Sequence, residues 1–248
     1  IFRKGEAGIL DFTLTRDRIP INSLDAAYML DRETGYIRLN KFAITTDSEF
    51  TDAIEILIKS RMKNLVLDLR GNGGGIMAAS TSLLEKFFSD KKLMVYLEGR
   101  KTPRQDYNSA GGGSLASARI VVLVDENSAS ASEIVAGALQ DWDRGVIIGR
   151  PTFGKGLVQH GYYLTDGSMI RLTVARYYTP TGRSIQSPYN EGYDKYMENY
   201  YTRLSNSGLT GDTIAIPDSL SFKTMVSKRT VYGGGGIMPD VFVPVDTS

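Results

Sequence analysis

Cysteine is absent from the 248 residues, and histidine occurs once, at His160. The first absence excludes a thiol nucleophile, a cysteine-ligated zinc site and any disulfide, while leaving the redox compartment open. The second excludes a histidine-rich metal site, and a Ser-His-Asp triad would have to use His160. Neither sign of charge is in excess. Against 29 Lys and Arg stand 28 Asp and Glu, and a net charge of +1 argues against nucleic acid or an anionic membrane as partner. No run approaches the roughly eighteen apolar residues of a membrane span. No signal peptide is recognisable either, so the chain is read as starting downstream of any targeting segment. Internal repeats are missing, and no linker divides residues 25–248. What remains is ordinary: 42% hydrophobic and 23% charged residues, enough to bury a core in one large domain or one domain plus a fragment.

The chain is arranged around residues 121–159. An apolar strand over 120–124 leads into a small-residue turn, and then into a helix that opens on Ser128, Ala129, Ser130, Ala131, Ser132 and Glu133. A second strand over 146–149 follows, and then a turn holding Lys155 between Gly154 and Gly156. Upstream, residues 1–24 read as two short strands around a turn, with period-2 alternation from Ile9 to Thr15. A hairpin is expected from residues 28–30 and 35–42, and a helix over 48–62 capped by Asp47 or Ser48. A buried strand over 64–69 ends at Arg70 and Gly71-Asn72-Gly73-Gly74-Gly75, followed by a helix over 76–88 and a strand over 92–97. Residues 104–117 read as a loop or hairpin tip. Downstream, 157–164 and 169–177 form a hairpin across Thr165-Asp166-Gly167-Ser168. Residues 180–236 are weakly patterned, with a helix expected near Tyr193 to Leu204. The tail over 237–245 reads as an edge strand, because Pro239 and Pro244 cannot donate to a ladder. Strands alternating with helices predict an α/β domain with a mostly parallel sheet.

Three segments carry chemistry. A helix N-terminus offers free N–H groups and partial positive charge, useful to an oxyanion or alkoxide. Ser130 sits there between two alanines, yet Ser130 and Glu133 also fit the S-x-x-E capping box. On this segment alone a helix cap is the commoner role. Lys155 shifts that balance. A lysine serves as general base only when desolvation brings its amine well below the ordinary value of about 10.4. Flanking glycines and apolar strands make such burial feasible, although most lysines are solvated. On an extended strand residues 155, 157 and 159 share a face, so Gln159 can orient the amine. The glycine turn after Leu69 fits neither the P-loop nor the G-x-G-x-x-G pattern. It reads as a source of backbone N–H donors for a carbonyl oxygen, or as a plain strand-to-helix turn. Asp68 and Arg70 read as a structural pair. His160 falls on the strand face opposite Gln159 and reads as a satisfied structural histidine.

Leu67 to Gly75, Ser128 to Ile134 and Gly154 to Gln159 resemble, in order, three signatures of the C-terminal processing proteases, also called tail-specific proteases. Asp166-Gly167-Ser168 and residues 178–183 look like the same family, and the likeness covers about residues 25–185. Gly73 departs from the pattern, where the family often has proline. The resemblance implies an α/β fold with a crotonase-like (ClpP-like) core over 25–248, its mixed, mostly parallel sheet flanked by helices. It implies that residues 1–24 are the C-terminal remnant of a PDZ domain, the rest of which is absent from the sequence. By the same resemblance Ser130 is the nucleophile, Lys155 the general base and Gln159 its orienting partner. The amide of Ala131, with that of Gly74 or Gly75, would form the oxyanion hole. The implied activity is a serine endopeptidase acting near C-terminal tails through an acyl-enzyme, with no cofactor or metal. Protein or peptide substrates are the implied partners, with a homo-oligomer or an adaptor as a further option. The implied location is the bacterial periplasm or envelope. A catalytically idle binding module and a crotonase-type acyl-CoA enzyme share the architecture, but neither has a use for serine, lysine and glutamine together.

Overall fold

The computed structural model describes the chain apart from residues 14, 17–21, 190, 199–200, 203–217 and 246–248. In chain order the elements are β1 (Leu24–Met29), β2 (Thr34–Leu39), α1 (Thr46–Lys59), β3 (Asn64–Asp68), α2 (Met77–Glu85), β4 (Leu93–Glu98) and β5 (Gln105–Asn108). They continue with β6 (Arg119–Val124), α3 (Ala131–Asp141), β7 (Val146–Gly149), β8 (Leu157–Tyr163) and β9 (Met169–Tyr178). A 3-10 turn (Asp218–Leu220), β10 (Ser221–Lys223), β11 (Thr230–Tyr232) and β12 (Val241–Phe242) complete them. No helix among the described residues is long and apolar enough to cross a membrane.

The central sheet has six strands in the order β1-β2-β3-β6-β7-β12. Only the β1–β2 hairpin is antiparallel, and every other pairing is parallel, as the strand–helix alternation predicts. The β-branched run of β6 sends Ile120, Val122 and Val124 into the core, against Leu65 and Leu67 of β3. Against this sheet α1 buries Phe50, Ala53, Ile54 and Leu57, a stripe at helical spacing. Phe50 and Phe87 meet with ring centroids 6.2 Å apart, both fully buried. Truncating either to alanine costs about 3–5 kcal/mol, since large cavities relax poorly. α3 is buried from end to end, which its small and apolar residues allow.

A second, four-stranded antiparallel sheet in the order β5-β4-β9-β8 stands beside the first. Trp142, at the end of α3, ties the two together by donating from Nε1 to the Leu93 carbonyl at 2.8 Å. The loops after β3, β6 and β7 leave the carboxyl ends of adjacent parallel strands, the usual place for a site in such sheets. Those loops carry the glycine turn, Ser130 and Lys155 respectively.

Several expectations shift. α1 begins at Thr46, with Thr45 in the N-cap position making no side-chain cap bond, and not at Asp47 or Ser48. Tertiary bonds decide this: the buried Thr46 hydroxyl donates to Ser23 Oγ at 2.8 Å, and Glu49 accepts from the Ser23 and Leu24 amides. Residues 104–117 contain β5, and 180–236 contain the β10–β11 hairpin. The two strands expected in 1–24 reduce, among the described residues, to one bridge between Phe2 and Ile9. Residues 193–198 and 201–202 are helical, and the remainder of the helix expected from Tyr193 to Leu204 lies outside the described residues. The tail does supply an edge strand, β12, parallel to β7.

Candidate active site

The three serines at the start of α3 have separate fates. Ser128 Oγ donates to the Leu69 carbonyl and Ser132 Oγ to the Asn72 carbonyl, both at 2.8 Å, and both residues are fully buried. They fasten the helix start to the glycine turn. Ser130 lies between them, with its side chain on the wall of an open cavity of about 500 Å³. Its backbone stands at φ 57° and ψ −111°. Positive φ is uncommon for a residue with a Cβ and costs on the order of 1–3 kcal/mol, so the surroundings must impose it.

One imposing group is Gly74, at φ 93°. A Cβ there would come within 2.6 Å of the Ala129 carbonyl oxygen and 2.7 Å of Ser130 Cβ, so only glycine lets the turn back against the serine. Asn72, fully buried, organises the turn from inside. Its Nδ2 donates to the Leu39 carbonyl at 3.0 Å, its Oδ1 accepts the Gly74 amide at 2.9 Å, and its own carbonyl accepts the Ala129 amide. The amides of Gly75 and Ala131 make no hydrogen bond among the described residues. At the turn's entrance Asp68 and Arg70 pair as expected, with Nη2 to Oδ2 at 2.6 Å and the Tyr36 hydroxyl donating to the same carboxylate. Burial raises the Asp68 carboxyl, and the bonds to Arg70 and Tyr36 outweigh it, holding the group below its ordinary value.

Glu133 joins the serine to the lysine. Its Oε2 accepts the amides of Ser130 at 2.8 Å and Lys155 at 2.9 Å, while Oε1 accepts the Gly154 amide at 2.7 Å and the Thr152 hydroxyl at 2.6 Å. The capping box expected of Ser130 and Glu133 is therefore present, and its carboxylate also draws the Lys155 turn against the helix start. Burial pushes the Glu133 carboxyl up from its ordinary value, and the four donors oppose that shift. Gly156 donates to Gln186 Oε1 at 2.9 Å, closing the turn from the other side. The hydroxyl of Tyr177, itself buried, donates to the Lys155 carbonyl. Burial raises that hydroxyl well above its ordinary value, the Glu133 charge adds to the shift, and a hydrogen bond with Ser130 opposes it. Sequence patterns pointed to Glu133 only as a cap partner, and to Asn72 and Tyr177 for no role at all.

Ser130, Ala131, Gly75, Lys155, Gln159 and Tyr177 all line the one cavity, with Gly74 just behind the serine. No hydrogen bond joins the Ser130 hydroxyl to the Lys155 amine among the described residues. His160 departs from expectation in part. The ladder between β8 and β9 shifts register between Val158 and Gln159, where β9 carries the unpaired Val174, and it runs one-to-one from Gln159 to Tyr163. His160, on the face opposite Gln159 as expected, is exposed and also borders the cavity, instead of sitting satisfied in a structural role.

Residues 33–192 match the model of peptidase family S41. The carboxyl-terminal-processing protease of Picosynechococcus sp. is 40% identical over 176 residues, 69% of this chain and 42% of that protein. The carboxy-terminal processing protease CtpA of Bacillus subtilis is 37% identical over 178 residues, 72% of this chain and 38% of its own length. Among solved structures, the photosystem II D1 C-terminal processing protease superposes with a TM-score of 0.65 at 29% identity, over 93% of this chain and 50% of that one. The chain thus spans less than half the length of these curated relatives. A family match over most of the chain, beside relatives of this identity, shows that this chain belongs to peptidase family S41.

Proposed function

We propose that this chain is the catalytic core of a serine endopeptidase that cuts proteins or peptides near their C-terminal tails with a Ser130–Lys155 dyad. The observation that carries the reading is Ser130 itself: a residue held at positive φ at a helix start, sharing a cavity with Lys155, both loops gathered by one carboxylate. In the proposed reaction the free amine of Lys155 takes the proton as Ser130 Oγ attacks the peptide carbonyl. The lysine then passes that proton to the leaving amine, and water hydrolyses the acyl-enzyme. The Ala131 and Gly75 amides are the oxyanion donors, since the Gly74 amide is committed to Asn72. Gln159 orients the lysine amine. The C-terminal-processing names of the relatives support the tail preference. The parallel strands leading to the site fit a crotonase-like core, and exposed Ile1, Phe2, Ile9 and Phe12 fit the reading of residues 1–24 as the end of a PDZ domain. A bacterial envelope location completes the proposal.

The test is labelling with a fluorescent serine-directed phosphonate, followed by peptide mass mapping, alongside digestion of an unfolded protein. Adduct on Ser130 and loss of digestion in Lys155→Ala protein are expected. Digestion at the unmodified rate by Lys155→Ala or Ser130→Ala protein would sink the dyad.

A further inference from the structure

β8 and β9 extend the wall of the Ser130 cavity beyond the residues the proposed chemistry uses. β8 and β9 pair so that Gln159 faces Thr173, Gly161 faces Arg171 and Tyr163 faces Met169. Directly opposed residues in an antiparallel pair share a face, and residues two apart share it again. Gln159, Gly161, Met169 and Arg171 therefore lie on one face, and all four line the cavity. The geometry of Gly161 agrees: a Cβ there would come within 2.6 Å of the Met169 sulfur, so methionine lies across the glycine. Because its cross-strand partner has no side chain, Arg171 is not covered from β8.

The charge on this wall is one-sided. Among the described lining residues the ionisable groups of the wall are Lys155, His160 and Arg171, together with the tyrosines, and none is Asp or Glu. Glu133 is fully buried and both its oxygens are spent on the four donors above. Arg171 forms no hydrogen bond or ion pair among the described residues, whereas Arg70, Arg104, Arg150, Arg183 and Arg229 each pair with a carboxylate. An arginine stays charged at any working pH and offers a planar fork matched to a carboxylate. The rest of the wall is largely apolar, with Met77, Leu97, Ile134 and Leu157.

We infer that Arg171 is a specificity-determining residue, reading a carboxylate that the substrate carries within a few residues of the bond cut. The inference rests on the peptidase reading for the words "bond cut", but the binding preference itself does not depend on turnover. The carboxylate has two sources, an acidic side chain or the free chain terminus of a short substrate.

Short fluorescein-labelled peptides distinguish them. One series moves a single glutamate along a neutral sequence, with glutamine counterparts, and each peptide is made with a free and an amidated C-terminus. Binding is read by anisotropy on Ser130→Gly protein, which cannot turn over, and kcat/KM on the unsubstituted protein. The best acidic peptide should bind about tenfold more tightly than its neutral counterpart, a margin that shrinks as salt is added. Arg171→Ala should erase the ratio, Arg171→Glu should turn it in favour of a lysine peptide, and Arg171→Lys should keep part of it. The lysine variant separates loss of charge from loss of fold. A glutamate-to-glutamine ratio locates a side-chain carboxylate, and an acid-to-amide ratio locates the terminus. Equal affinities throughout, or a preference that survives Arg171→Glu, would overturn the inference. Charge-selective binding without any cleavage would overturn the peptidase reading and leave this one standing, and indiscriminate cleavage would do the reverse.

Discussion

Ser130 is held at φ 57°, a backbone conformation that glycine adopts more readily than serine. That contrast yields a sharp expectation. Ser130→Gly should fold at least as stably as the parent by calorimetry, gaining up to about 1 kcal/mol from released strain, while peptidase activity falls by several orders of magnitude. A helix-cap role alone predicts little loss of either, since glycine is a tolerable cap. Lys155→Arg should be as inactive as Lys155→Ala, because a guanidinium does not give up its proton to serve as base. Glu133→Gln tests the carboxylate that gathers both loops. An amide nitrogen in place of one oxygen faces two donors with a donor, at a cost of about 1–3 kcal/mol, readable by urea denaturation, with kcat falling alongside. Unchanged stability in that variant would mean the glutamate does not hold the loops. At this scale residue type, spacing and family resemblance nominated Ser130, Lys155 and Gln159, which the fold brings to one cavity. Asn72 and Tyr177 were invisible, because what defines them is burial against segments distant in the chain.

The elements that deliver these residues are three loops on neighbouring parallel strands, and their glycines are set by close approach. Gly74→Ala should be tolerated badly, since φ 93° disfavours any side chain and the added Cβ meets the Ala129 carbonyl. A loss of at least about 2 kcal/mol, or a folded protein in which Ser130 no longer labels, is the expected outcome. Gly73, by contrast, has open space around the position of a Cβ, so Gly73→Ala should change little. Element types were legible wherever hydrophobic periodicity ran long, as in α1, β6 and the β8–β9 hairpin. They were not legible in β10 and β11, three-residue strands with too few apolar positions to show a period. The exposure of His160 was not legible for a related reason: burial depends on what packs against a strand, and one strand's sequence does not display it.

Across the whole molecule, the end of α3 is bound to the C-terminal part of the chain by a charged network. Arg183 pairs with Asp141 at 2.7 Å, both fully buried, and Arg229 bridges Asp143 and Asp240. Burial acts to raise the Asp143 carboxyl, but bonds from Ser227 and Arg229 dominate and hold it at about 2. A carboxyl depressed in the folded state stabilises above its unfolded value and loses that contribution as the pH falls towards the folded one. Asp143 thus supplies about 2 kcal/mol that should disappear between about pH 4 and pH 2. Asp143→Asn, which tolerates the local φ of 52°, should be less stable at neutral pH by that amount, and its melting temperature should vary less with pH in that window. Identical pH profiles for the two proteins would contradict the assignment. Composition and local pattern, read along one dimension, suffice for the α/β class and a mostly parallel sheet, because periodicity is a local property; the proposed roles of Ser130, Lys155 and Gln159 came from family resemblance. What supports the proposed roles of Ser130 and of the Gly75 and Ala131 amides comes from where remote segments meet. That support depends on Gly74 pressing on Ser130, Glu133 spanning two loops and Asn72 taking one amide, contacts that exist only once the sheet has brought β3, β6 and β7 side by side.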